Sequence, residues 1–196
     1  MTHNGRARLA ELQAREERHF VEEHRRSQEL AAQARKSLVA GVPMHWMAKW
    51  PGGFPLFVAH ASGARFVDVD GREYVDLCLG DTGSMTGHAP KLTLRAIAER
   101  AAKGITLMLP TEDAAWCAVE LRRRFGLPFW QFALTATDAN RFSIRLARHV
   151  TGRPKVLVFD WCYHGTVDET FATLSDGAVV ARRGNLGPPV APAETT

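Results

Sequence analysis

Cysteine and lysine are scarce in these 196 residues, and no long apolar run occurs. The three cysteines, Cys78, Cys117 and Cys162, lie far apart and form no CxxC pair. That excludes a disulfide framework, and an odd count without a secretory signal fits reduced thiols. The eight histidines are scattered, and His19 and His24 miss the i, i+4 spacing that sets two metal ligands on one helix face. No metal site is expected. No stretch approaches the roughly 20 apolar residues of a membrane helix, and the charged first residues lead into no apolar signal region. A cytoplasmic protein without a membrane partner is the expectation. The net charge of +4 is modest and comes largely from the first forty residues, where Arg clusters with Glu. That is a solvated helix face rather than a nucleic-acid surface. What remains is a globular composition, 45% apolar and 23% charged. The length suits one good-sized domain, or one domain plus part of another.

Residues 1–40 read as one polar helix, with no Gly after Gly5 and no Pro. Glu11 with Arg15 and Glu22 with Arg26 sit at the favourable i, i+4 spacing. Its apolar positions, Leu9, Leu12, Phe20 and Leu30, make a thin stripe that needs another surface, such as a subunit partner, or leaves a frayed extension. Residues 41–79 form a small segment. Gly41, Pro43, Pro51, Gly52, Gly53 and Pro55 open it as a loop. A hairpin follows, with arms Ala64 to Val69 and Arg72 to Cys78 and Asp70-Gly71 as a type I′ turn. Residues 80–180 begin with the glycine-rich loop Gly80 to Pro90, and helices are predicted over Lys91 to Lys103 and Glu112 to Phe125. Residues 181–196 have little to bury and read as a linker or frayed end.

The informative stretch starts at Phe129. Trp130 to Leu134 reads as a short buried strand. Thr135 to Asp138 supplies helix-capping side chains. Ala139, Phe142, Leu146 and Val150 then mark one face of a helix, which Gly152 and Pro154 end. Lys155 to Phe159 is a continuous apolar run, as in a parallel strand covered on both faces. This βαβ pattern predicts an α/β fold with ligands beyond the carboxyl ends of the strands. Two loops meet that condition, Thr135 to Asp138 and Asp160 to Thr166. The first opens a helix, whose free N–H groups and dipole favour an anion, and Thr135 and Thr137 add hydroxyls. The second offers Tyr163, whose ring can lie on a planar heterocycle, with His164, and Gly165 for close backbone approach. An ordinary capped helix and a packed Tyr-His pair account for the same residues.

The run FALTATDANRFSIRLARHVTGRPKVLVFDWCYHGTVDE, from Phe132 to Glu169, resembles the cofactor-binding core of class III aminotransferases. GGFPLF at Gly52 to Phe57, DVDGREYVD at Asp68 to Asp76, and Gly87-His88 match in the same order. The likeness is nearest to the glutamate-1-semialdehyde aminomutase branch. It implies a partial type I fold of pyridoxal-phosphate (PLP) transferases, with PLP as cofactor. Ala136 and Thr137 fall at the phosphate-binding positions, with Thr135 beside them. Tyr163 falls where a ring stacks on the pyridine, and His164 and Gly165 complete that motif. The family also implies a homodimer, with the N-terminal helix docked near the subunit interface.

Three departures qualify this. Ala136 replaces the usual Gly, a strained exchange if that backbone needs positive φ. Trp46 stands where the aminomutases carry an arginine for the substrate carboxylate, and Asp81 where they carry a tryptophan. Trp46 and Asp81, with Trp50, are therefore candidates for a different amine or amino acid with an apolar or aromatic portion; core packing or a shielded loop is the alternative for the two tryptophans. Finally, the family's Schiff-base lysine lies well beyond the Tyr-His-Gly motif, and Lys36, Lys49, Lys91, Lys103 and Lys155 all precede it. No catalytic residue is assigned in this chain, and a fragment of a longer enzyme is the expectation. The expected function is amino transfer between an amine or amino acid donor and an oxo-acid acceptor. The alternatives are an aminomutase and a non-catalytic remnant.

Overall fold

The computed structural model describes residues 3–184 and 192–195. The chain divides into two compact units, Met1–Met108 and Leu109–Thr196.

In the first unit, two helices replace the single one expected: α1 (His3–Glu23) and α2 (Arg25–Ala34), with His24 out of helical geometry at φ −124°, ψ 46°. The break is made from outside. The carboxylate of Asp70 accepts from the N–H groups of Arg26 (2.7 Å) and Ser27 (3.0 Å) and from the Ser27 hydroxyl (2.7 Å). An N-cap that the helix lacks locally is thus supplied from the hairpin. Of the expected stripe, Phe20 leans on the chain's own loop segment, meeting Phe54 with ring centroids 4.9 Å apart, whereas Leu9 and Leu12 are exposed. Neither expected i, i+4 pair forms: Arg15 pairs with Glu16 and Arg26 with Glu29.

The hairpin belongs to a three-stranded antiparallel sheet, β1 (Val58–Ser62), β2 (Arg65–Asp68) and β3 (Glu73–Val75), in that order. β2 pairs with β3 in the register Phe66 to Tyr74, and their rings stack at 4.9 Å. β1 was not anticipated; its small residues carry a weak strand signal. The turn also differs from the type I′ expected. Only Gly71 is left-handed (φ +85°), and the Asp68 N–H donates to the Arg72 carbonyl (2.9 Å). This encloses three residues rather than two, a three-residue hairpin loop with Gly at its left-handed position. Ala31, Val42 and Phe54 are buried here, together with the polar His24, Ser27 and Asp68. Helix α3 (Lys91–Ala101) follows the glycine-rich loop.

The second unit holds α4 (Glu112–Phe125), α5 (Ala136–Thr151), the hairpin β4 (Ala172–Ser175) and β5 (Ala178–Ala181), and the short α6 (Pro192–Thr195). Acidic residues in the first turn of α4 and arginines in its last suit the helix dipole. The segments 130–134 and 155–159, expected as parallel strands, carry no strand assignment. A strand is defined by its ladder, and neither finds a ladder partner among the described residues. For the same reason the apolar face of α5, Phe142, Leu146 and Val150, is exposed rather than buried. Among the described residues of this unit, Val167 and Ala172 are the buried hydrophobic ones. Of the expected linker 181–196, residues 185–191 and 196 lie outside the described residues.

Candidate functional site: the α5 N-terminus and the Tyr163 loop

Thr135 is the N-cap of α5. Its hydroxyl accepts from the Asp138 N–H (3.1 Å) and donates to the Asp138 carboxylate (2.8 Å). The N-cap hydroxyl thus uses both its acceptor and its donor on residue N3. The hydroxyl expected to face an anion is therefore spent on the helix itself. Ala136 is the first residue of α5 and does not have positive φ. Its exchange for the family's Gly therefore strains nothing here. The backbone N–H groups of Ala136 and Thr137, in the first turn, have no intrahelical acceptor and point along the positive end of the helix dipole.

Thr137 joins the two loops that the sequence singled out. Its hydroxyl accepts from the Thr166 N–H at 3.0 Å, so its own hydrogen remains available to a further acceptor. Gly165 makes this approach possible. It is left-handed (φ +80°), and a Cβ built on it would lie 2.9 Å from the Thr137 Cα. One turn later the Asn140 side chain donates to the His164 carbonyl at 2.9 Å. Asn140 was not anticipated; the only signal was a polar residue on the turn after the cap.

His164 Nε2 is buried without a hydrogen-bond partner. A cavity of about 160 Å³ is lined by His164, Asn140, Ser143 and Thr170 together with residues 156–158 of the following segment. Tyr163 is 73% exposed, so its ring is open to a ligand. The β4–β5 hairpin braces the other side of this loop. The Arg182 guanidinium donates to the Cys162 carbonyl (3.0 Å) and lies 5.8 Å from the Trp161 ring centre. The Thr173 hydroxyl donates to the Asp160 carboxylate at 2.5 Å.

Trp46 and Asp81 belong to the other unit. Trp46 stands edge-on to Trp50, centroids 6.4 Å apart. Both line an apolar cavity of about 630 Å³ with Met47, Phe54, Phe57 and Phe66. Asp81 is exposed in a loop, with φ +53°.

Residues 46–192 match the model of the class-III aminotransferases. The chain belongs to that family. It is 35% identical over 174 residues to a glutamate-1-semialdehyde 2,1-aminomutase of Methanocaldococcus jannaschii, covering 87% of this chain and 39% of that one. Among solved structures it superposes with a TM-score of 0.91 on a glutamate-1-semialdehyde-aminomutase from Pseudomonas aeruginosa PAO1, at 49% identity, covering 96% of this chain and 42% of that one. A lysine-to-alanine variant of that enzyme is known in complex with PMP. An omega-transaminase from Sphaerobacter thermophilus gives a TM-score of 0.71 at 31% identity, covering 83% of this chain and 39% of that one. The fold is thus the matching part of a type I PLP-dependent transferase, α/β in class. The chain spans about two fifths of the length of these relatives.

Proposed function

We propose that this chain carries the phosphate- and ring-holding part of a PLP-dependent enzyme that moves an amino group between an amine or amino acid and an oxo acid. The observation that supports it most is the junction at Thr137. There a helix N-terminus with two free N–H groups, a hydroxyl with a hydrogen to give, and the Gly165-Thr166 backbone converge. A phosphate dianion suits that set of donors. The N–H groups of Ala136 and Thr137 and the Thr137 hydroxyl would hold it. Tyr163, two residues before Gly165, would cover one face of the attached ring. Thr135 acts indirectly, by fixing the first turn of α5. His164 holds the loop through the carbonyl that Asn140 binds.

Bound PLP supplies an electron sink for the carbon that bears the amino group. The residues here bind and orient it; the lysine that anchors it covalently in this family has no counterpart at this loop. Lys155, the only lysine of the second unit, is exposed at the start of the 155–159 segment, whereas Tyr163 follows that segment's end. Trp46 and Asp81 are proposed for the substrate side, Trp46 receiving an apolar part of the amine. A homodimer is proposed for the complete enzyme, in the cytoplasm; among the described residues no helix is long and apolar enough to cross a membrane.

A second reading, transfer of the amino group within one molecule, is favoured by the aminomutase names of the relatives. Joining this chain to the remainder of the Pseudomonas relative tests both. Amino transfer that requires an added oxo acid is expected. Isomerisation of glutamate 1-semialdehyde without an acceptor would favour the second reading, and no product from either would contradict both.

A further inference from the structure

The hairpin residues Asp68, Asp70 and Tyr74 take no part in the proposed cofactor site. They hold the N-terminal helices, and the hydrogens can be counted. His24 Nδ1 lies 2.7 Å from the Phe20 carbonyl oxygen, which can only accept, so Nδ1 carries a hydrogen. Nε2 lies 2.6 Å from the Tyr74 hydroxyl. That hydroxyl donates its single hydrogen to Asp68 Oδ2 at 3.0 Å, so its oxygen is left to accept one from Nε2. Asp68 Oδ1 accepts from the N–H groups of Asp70 (2.9 Å) and Arg72 (2.8 Å), which favours the ionised carboxylate. The chain of bonds therefore closes with both imidazole nitrogens protonated. His24 is 6% exposed and Asp68 1%, so the imidazolium also neutralises a buried carboxylate.

We propose that His24, Tyr74 and Asp68 form a latch that holds one extra proton and docks the α1–α2 helices on the β1–β3 sheet, so that docking loosens as pH rises. Without that proton, either the Nε2 lone pair faces the tyrosine oxygen or Asp68 Oδ2 loses its donor. Tyr74 itself stays protonated throughout: burial, then its bond to Asp68, push its hydroxyl up to about 12. In a released helix, histidine is neutral above about pH 6.5 and aspartate ionised above about 3.9. The docked form then binds one proton more, and the docking equilibrium weakens by up to about tenfold per pH unit above about 6.5.

The other charges facing the latch are Glu23 on α1, paired with Arg72 (2.5 Å) and His19 (3.0 Å), and Asp70, which caps α2. Of these only His19 is a second histidine, so His19→Gln is the control.

The test is nitrogen NMR of the His24 ring in the full chain from pH 5.5 to 9, with amide exchange of α2 corrected for its intrinsic pH dependence. Expected at neutral pH are two protonated ring nitrogens. Protection of α2 should fall by up to tenfold per pH unit above about 6.5, in wild type and His19→Gln alike; His24 Nε2 also lies 3.6 Å from Asp68 Oδ2, so Asp68→Asn, which removes that charge, should remove the dependence. A bare Nε2 at neutral pH, or protection indifferent to pH, would overturn the proposal. If Asp68→Asn does not fold, the wild-type ring nitrogens decide alone.

Discussion

Replacing Gly165 by Ala should open the junction on which the proposed cofactor site depends. Gly165 has φ +80°, and a Cβ there would meet the Thr137 Cα at 2.9 Å and Cβ at 3.1 Å. The left-handed backbone alone costs an L-residue about 1–2 kcal/mol. The nearest clash is with the Thr137 hydroxyl oxygen, and the Cα and Cβ behind it cannot rotate away; overpacking of this kind adds about 1–3 kcal/mol. A combined penalty of at least about 2 kcal/mol falls on one loop. The loop relieves it by leaving Thr137, which breaks the bond from the Thr166 N–H. If ligand binding needs the closed junction, apparent affinity falls by the fraction closed, about 30-fold for 2 kcal/mol. Pyridoxamine phosphate is the probe, because it needs no lysine, and calorimetric titration is the assay. The α5 cap is untouched, so helix content by circular dichroism should not change. Binding of Gly165→Ala within about threefold of wild type, with the helix intact, would refute the reasoning.

The two threonines should separate in the same assay. Thr135→Ala should cost about 1 kcal/mol of stability in denaturant melts with little effect on affinity, since its hydroxyl serves the cap; Thr137→Val should lower affinity about tenfold. The bond from His88 (2.6 Å), then backbone N–H bonds from Leu79 and Cys78, hold the Asp76 carboxyl below its usual range. Its contribution is therefore present above about pH 4 and lost as pH falls through the lowered value. Amide exchange at Gly63 and His88, which bond each other, should accelerate there, and Asp76→Asn should remove the effect. Glu169, half-buried, pairs with Arg148 at 2.5 Å; Glu169→Gln should cost about 1 kcal/mol in the same melts.

Helix α5 was legible because its signals are local: Thr135 to cap it, Gly152 to end it, and polar and apolar residues in helical alternation between them. The meeting of the two loops followed from the expected βαβ pattern, although neither expected strand finds its ladder among the described residues. The use of Thr135 was not legible. A threonine before a helix looks the same whether its hydroxyl serves the cap or a ligand, and only the bond it donates to the Asp138 carboxylate decides. The break at His24 was hidden for a different reason. Its cap, Asp70, lies more than forty residues away in sequence, so residues 5–40 alone resemble one unbroken helix. The runs 130–134 and 155–159 have the composition of buried strands, but ladder bonds depend on neighbours that composition does not specify. Asn140 escaped notice because its partner is a backbone carbonyl, which leaves no trace in side-chain pattern.

In the proposed site the phosphate end of the cofactor lies at Ala136, Thr137, Gly165 and Thr166. Titrating pyridoxamine phosphate into the nitrogen-labelled chain and mapping backbone amide shifts tests this most directly. Saturable shifts at those four amides, with smaller ones at Tyr163 and none at the Thr135 to Asp138 cap bond, are expected. Saturable shifts centred elsewhere, or none at millimolar ligand, would contradict it.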